Sequence, residues 1–225
     1  MSPGKKVTFR HIAVEGMMMS GKTQLVKSLS QKIGGRVVFD QADNPYLKSF
    51  YEEKEGAAFL SQLVFLVNRY HQQSALLQRD LFSERVLCDY LFEKDKIYAY
   101  QTLTDEELIV YEKLFNIFFE KIAKPELTVY LQITLPTLLS RIKGKGSDIE
   151  KNISEKYLED ILEAFDYFFF NYQASPLLVV KADDLDFESP EQVEDIIEKL
   201  TQMKKNTLYY VPIGKKSGNK REDQR

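Results

Sequence analysis

Residues 16 to 23 read Gly16-Met17-Met18-Met19-Ser20-Gly21-Lys22-Thr23, which fits the spacing G-x-x-x-x-G-K-T. That spacing suits the phosphates of a nucleoside triphosphate. Glycines without a Cβ let backbone N–H groups curl round an anion, a helix opening at the lysine adds its positive end, and the Lys22 ammonium lies between the terminal phosphates. Thr23 is then placed to ligate Mg²⁺. Three successive methionines fill the loop, and Met19 stands where glycine is frequent because backbone room matters. A second pattern lies in Phe59-Leu60-Ser61-Gln62-Leu63-Val64-Phe65-Leu66-Val67-Asn68-Arg69-Tyr70. Gln62, Phe65 and Arg69 are three and four residues apart, so on a helix they share one face. An amide, a ring and a guanidinium suit a nucleobase. For Phe65 alone core packing is the better explanation, whereas Gln62 and Arg69 on a buried face need polar partners.

The elements that must carry these residues follow from periodicity. Short apolar or β-branched runs occur at His11–Val14, Arg36–Phe39, Val86–Cys88, Leu127–Leu131 and Leu177–Val180, alternating with longer helical patterns. This is the βαβ rhythm of a parallel sheet covered on both faces. Helices are expected over roughly 22–33, 56–81, 91–100, 104–122, 135–143, 154–173 and 190–203. Thr104 followed by Glu107, Ser154 before a helical run, and Ser189-Pro190 are credible helix starts. Lys143-Gly144-Lys145-Gly146-Ser147-Asp148 is charged and glycine-rich, which predicts a mobile lid outside the core.

Composition bounds the class. A chain of 225 residues suffices for one core, and the single cysteine, Cys88, sits in an apolar run and cannot form an internal disulfide or a cysteine-built zinc site. A cytoplasmic setting is expected, with no signal-peptide stretch or membrane span. A formal charge of −3 gives no general reason to bind nucleic acid. Residues 1–213 are expected to form a single domain, followed by a disordered basic tail at 214–225.

From about residue 10 to 187 the sequence resembles the deoxynucleoside kinase family. The resemblance rests on Ile12-Ala13-Val14-Glu15-Gly16 leading into the phosphate loop, Asn44-Pro45-Tyr46-Leu47 with Phe50-Tyr51, and the Gln62–Tyr70 helix. It implies an α/β, P-loop NTPase-like three-layer fold: a five-stranded parallel sheet flanked by helices, with a short lid. It also implies ATP-dependent phosphorylation of a deoxynucleoside with Mg²⁺, in a homodimer. Gln62 is implied to contact the base edge, Phe65 to stack on it, and Arg69 to work with Asp95 on its exocyclic groups. Tyr51 and Glu150 are implied to hold the sugar 3′-hydroxyl, and Asp89 to order Mg²⁺ through water together with Thr23.

The sequence also departs from the family pattern. The family's glutamate falls at Phe39, and the nearest carboxylate is Asp40, one residue later. An expected arginine is Tyr90, and the lid pattern R-x-x-x-R-G-R reads Arg141-Ile142-Lys143-Gly144-Lys145-Gly146-Ser147. Lysine keeps charge at one position without the planar fork; serine loses both. Either Arg141, Lys143 and Lys145 compensate, with Asp40, Lys22, Asp89, Arg141 and Lys145 as the catalytic set, or the protein is a nucleotide-binding relative with weakened catalysis. A nucleotide kinase would need a further arginine cluster for the acceptor phosphate, which the sequence does not offer.

Overall fold

The computed structural model describes residues 6–41, 43–78 and 85–212. The expected tail at 214–225 lies outside the described residues. A single sheet organises the described chain: β1 (His11–Gly16), β2 (Arg36–Val38), β3 (Val86–Cys88), β4 (Leu127–Gln132), β5 (Leu177–Lys181) and β6 (Thr207–Tyr210) pair in the order β2-β3-β1-β4-β5-β6. Every pairing is parallel, with Ile12 opposite both Leu87 and Leu127. The sheet therefore has six strands where five were expected. The sixth, Thr207–Tyr210, is an edge strand whose residues alternate between exposed and half-buried, so it gives no continuous apolar run.

Around the sheet lie α1 (Lys22–Ile33), α2 (Leu47–Tyr51), α3 (Ala57–Gln78), α4 (Lys94–Thr102), α5 (Asp105–Phe119), α6 (Leu135–Lys145), α7 (Asp148–Lys151), α8 (Glu155–Phe170) and α9 (Pro190–Gln202). Ile12, Val14, Leu127, Val129 and Leu131 are wholly buried, because helices cover both faces of these central strands. Thr104 and Glu107 form a capping box, the Ser154 hydroxyl accepts from the Tyr157 N–H, and Pro190 opens α9. The short helices α2 and α7 were not expected. The lid expectation is corrected in part: α6 runs through Gly144 to Lys145, and after Gly146 the chain turns at once into α7. No described helix is long and apolar enough to cross a membrane.

Chain direction places the site. From β1 the chain goes to β2 on one side, and from β3 it crosses to β4 on the other, so the C-terminal end of β1 lies where the winding reverses. Gly16–Thr23 begins there.

Candidate active site

The loop from β1 to α1 is held by close packing. A Cβ on Gly16 would stand 2.5 Å from the Leu131 carbonyl oxygen, and one on Gly21, at φ 98°, would stand 2.4 Å from the Phe187 ring. Met19 adopts φ 60°, a conformation that costs a non-glycine residue about 1–2 kcal/mol. The awkward methionine in the sequence is thus accommodated with backbone strain. Lys22 Nζ donates to the carbonyl oxygens of Gly16 at 2.6 Å and Met17 at 3.0 Å, closing over the loop. Among the described residues the buried Ser20 hydroxyl has no hydrogen-bond partner. This loop, with its poised ammonium and unmatched hydroxyl, fits a polyphosphate.

Thr23 Oγ1 donates to Asp89 Oδ2 at 2.7 Å, and Asp89 Oδ1 accepts from the Asp40 backbone N–H at 2.6 Å. A threonine hydroxyl beside a carboxylate is a hard-oxygen set suited to Mg²⁺ that keeps its waters and phosphate ligands. Among the described residues no cluster of three or more His, Cys, Asp or Glu is arranged to hold a metal.

Asp40 is the centre of the charge network. Beyond β2, Val38 is buried, Phe39 is 41% exposed, and Asp40 turns back to the cavity, as alternation along an extended chain requires. Its carboxylate accepts both arms of an Arg69 fork, Nε to Oδ1 and Nη2 to Oδ2, each at 2.8 Å, and accepts Lys94 Nζ at 2.5 Å. Burial alone would raise the Asp40 pKa, but the Lys94 and Arg69 charges outweigh it and hold the carboxyl well below its ordinary range. Arg69 Nη1 also bonds Asp95 Oδ1. Hydrogen bonds therefore run unbroken from Thr23 through Asp89, Asp40 and Arg69 to Asp95.

This chain of bonds lies along a cavity of about 410 Å³. Lys22, Thr23 and Asp89 line it together with Asp40, Gln62, Phe65, Arg69, Tyr51 and Glu150. The Arg69 guanidinium carbon lies 4.8 Å from the Phe65 ring centroid, and Gln62 Nε2 donates to Thr102 Oγ1 at 3.4 Å. The Tyr51 hydroxyl is pushed up to about 12 by burial and by the Glu150 charge. Asp95, expected to work with Arg69, is wholly buried, does not line the cavity, and reaches it through Arg69. Arg141 and Lys145 line a separate cavity of about 540 Å³ on the other side of the phosphate loop. Arg141 donates there to the carbonyls of Met19, Ala182 and Asp183 at 2.7–2.8 Å.

Two charged residues escaped sequence reasoning. Glu15, wholly buried, accepts from the N–H groups of Gly16 at 2.8 Å and Leu91 at 2.7 Å, fixing the phosphate loop to the start of α4. Lys94 completes the Asp40 cluster. For Glu15 the available signal was a charged residue inside an apolar run, which needs a partner when buried; Lys94 stands in the charged run Glu93-Lys94-Asp95-Lys96, which gives no such signal. Ser147, which stands where the lid pattern expects an arginine, serves the local structure instead. Its N–H and hydroxyl both donate to Glu150 Oε2, at 2.7 and 2.8 Å, and its hydroxyl caps α7.

Comparison with known proteins agrees with this geometry. The family profile described as deoxynucleoside kinase matches residues 12–205. The chain is 35% identical over 182 residues to deoxyguanosine kinase of Bacillus subtilis (strain 168), covering 78% of this chain and 88% of the relative. It is 27% identical over 203 residues to deoxyadenosine kinase of Dictyostelium discoideum, covering 86% and 80% respectively. The solved structure of deoxyadenosine kinase from M. mycoides with bound dATP aligns with a TM-score of 0.71 at 26% identity, over 84% of this chain and 98% of that one.

Proposed function

Because this chain belongs to the deoxynucleoside kinase family, we propose that it transfers the terminal phosphoryl group of ATP to the 5′-hydroxyl of a deoxynucleoside, giving the deoxynucleoside monophosphate. The observation that carries this reading is the hydrogen-bonded path from Thr23 through Asp89 and Asp40 to Arg69 along one cavity, with Asp95 behind Arg69. It joins a phosphate end to a slot of nucleoside size.

In the proposed reaction the 5′-oxygen bonds the γ-phosphorus as the bond from that phosphorus to the bridging oxygen breaks, its electron pair leaving with ADP. The hydroxyl proton passes to Asp40. Phosphoryl transfer has a loose transition state in which positioning counts for more than base strength, so a carboxylate with a depressed pKa still serves. Gln62, Phe65 and Arg69, backed by Asp95, hold the base, and Tyr51 and Glu150 hold the sugar. Lys22 and the backbone of residues 16 to 23 hold the phosphates. Thr23 and Asp89 would hold Mg²⁺, which would supply neutralisation of the charge developing on the phosphates. Arg141 and Lys145 approach the donor from the other side of the loop.

The same proposal includes a homodimer and a cytoplasmic setting. What supports the dimer is an open apolar face between α4 and α8, where Tyr100 is 54% and Tyr167 75% exposed beside a cavity of about 830 Å³. The buried, unpaired thiol of Cys88 supports a reducing compartment.

The test is a transfer assay over the four common deoxynucleosides with ATP and Mg²⁺, on wild type and Asp40→Asn. We expect transfer by wild type, and in the variant a kcat lower by roughly 10²-fold with nucleoside affinity lowered only by the share of the 5′-hydroxyl contact, about fivefold. A wild type that binds nucleotide but transfers to none of the four is a binding protein, and the kinase reading fails.

A further inference from the structure

We infer that Lys94 is a positioning residue that takes the place of the arginine missing at Tyr90, holding the Asp40 carboxylate toward the acceptor end of the cavity. This rests on the kinase reading of the same site.

The geometry gives three grounds. First, Lys94 opens α4 with its side chain only 7% exposed, yet it lines the cavity and lies 2.5 Å from Asp40 Oδ2. A buried ammonium is costly unless paired, and its nearest carboxylate is Asp40; Glu15 is farther, at 3.9 Å. Second, Tyr90 has no exposed surface, and among the described residues its hydroxyl has no hydrogen-bond partner. It offers no hydrogen bond to Asp40, but its ring lies 5.9 Å from both Lys94 Nζ and the Arg69 guanidinium carbon, flanking the two cations that do hold the carboxylate. The cation has moved four residues along the chain, while the space beside Asp40 is filled by an aromatic ring. Third, the Asp40 oxygens are not shared equally. Oδ1 accepts from Arg69 Nε, whereas Oδ2 accepts from both Arg69 and Lys94. Arg69 divides its donors between Asp40 and Asp95, whereas the hydrogen bond of Lys94 goes to Asp40.

A merely structural role is the competing account, in which Lys94 ties α4 to β1 through Glu15. Glu15 already accepts two backbone N–H bonds, so it does not depend on Lys94 for a partner. The two accounts part in kinetics. A structural lysine would change melting temperature, or kcat and KM together. A positioning lysine changes kcat and the contribution of the 5′-hydroxyl to binding, while leaving ATP affinity in place.

The experiment compares wild type, Lys94→Met, Lys94→Arg and the double variant Lys94→Met with Tyr90→Arg. Each is measured for kcat and KM, for ATP affinity by calorimetry, and for the ratio of dissociation constants of a 2′,5′-dideoxynucleoside to the parent deoxynucleoside. We expect Lys94→Met to lower kcat by about 10²-fold, comparable to loss of one preorganised charge contact, with ATP affinity within about threefold of wild type. The ratio should fall from about fivefold or more to near one, as expected when one hydrogen bond to a charged group is lost. Lys94→Arg should retain most of the rate and the ratio, and Tyr90→Arg should return at least tenfold of the rate lost by Lys94→Met. Wild-type kcat and ratio in Lys94→Met overturn the inference. So does a folded double variant without rescue, or a Lys94→Arg as impaired as Lys94→Met. If Lys94→Met does not fold, Lys94→Gln carries the same comparison. Absence of transfer by wild type would instead sink the kinase reading, and the ratio, an equilibrium quantity, would still decide the place of Lys94.

Discussion

At the scale of the residue, Lys22 is a charge waiting for an anion. Its ammonium rests on the carbonyls of Gly16 and Met17, and burial lowers its pKa against the opposing pull of Glu15. A triphosphate would replace those neutral acceptors with ionised oxygens, which form hydrogen bonds about twice as strong. Lys22→Ala should therefore weaken ATP binding by 10²-fold or more in calorimetry, corresponding to about 3 kcal/mol. Unchanged affinity would mean that the phosphates bind elsewhere.

At the scale of the element, the one-turn helix α7 matters because Glu150 sits on it. A helix of 4 residues cannot stand on its own propensity, since nucleation is costly and few bonds repay it. Ser147 supplies the cap and Glu150 returns the bond, so the residue proposed to hold the sugar is also the one that starts the helix. Ser147→Ala should remove about 1 kcal/mol of local stability and weaken deoxynucleoside binding by roughly fivefold. ATP affinity and melting temperature should hardly move, and equal loss for both ligands would show that α7 has no special tie to the nucleoside. Adding arginine at Ser147, an intuitive repair from sequence, would destroy this cap.

At the scale of the whole molecule, one buried carboxyl sets a pH dependence. Glu93 has one carboxylate oxygen without a partner, and burial pushes its pKa from 4.5 up to about 7, with the Lys124 charge opposing only in part. Between those two values the folded state binds more protons than the unfolded state, so this group makes stability fall as pH rises. Its full cost above pH 7 is about 3 kcal/mol. Glu93→Gln should raise the melting temperature at pH 8, with little gain at pH 4.5, and so flatten the pH profile of denaturant unfolding. A variant no more stable than wild type at pH 8 would show that the carboxylate finds solvation or a partner when ionised.

Local spacing alone determined much of this protein. The phosphate loop, the helix cap at Thr104 and Glu107, the proline at the start of α9 and the alternation of strand and helix are written in contiguous residues, and their physics acts within a few residues. The face carrying Gln62, Phe65 and Arg69 was legible because helical periodicity fixes it. What lies on the other side of that face was not. Asp40 meets Arg69 and Lys94 across 29 and 54 residues of chain, and no periodicity reports which buried cation will reach which carboxylate. The edge strand β6 and the short helices α2 and α7 escaped for a related reason: each is too short to show a period, β6 stands on its pairing with β5, and α7 stands on the local Ser147–Glu150 cap. Sequence therefore specified the chemistry available, and the tertiary structure decided the partners, because pairing buried charges depends on distances in space that chain order does not encode.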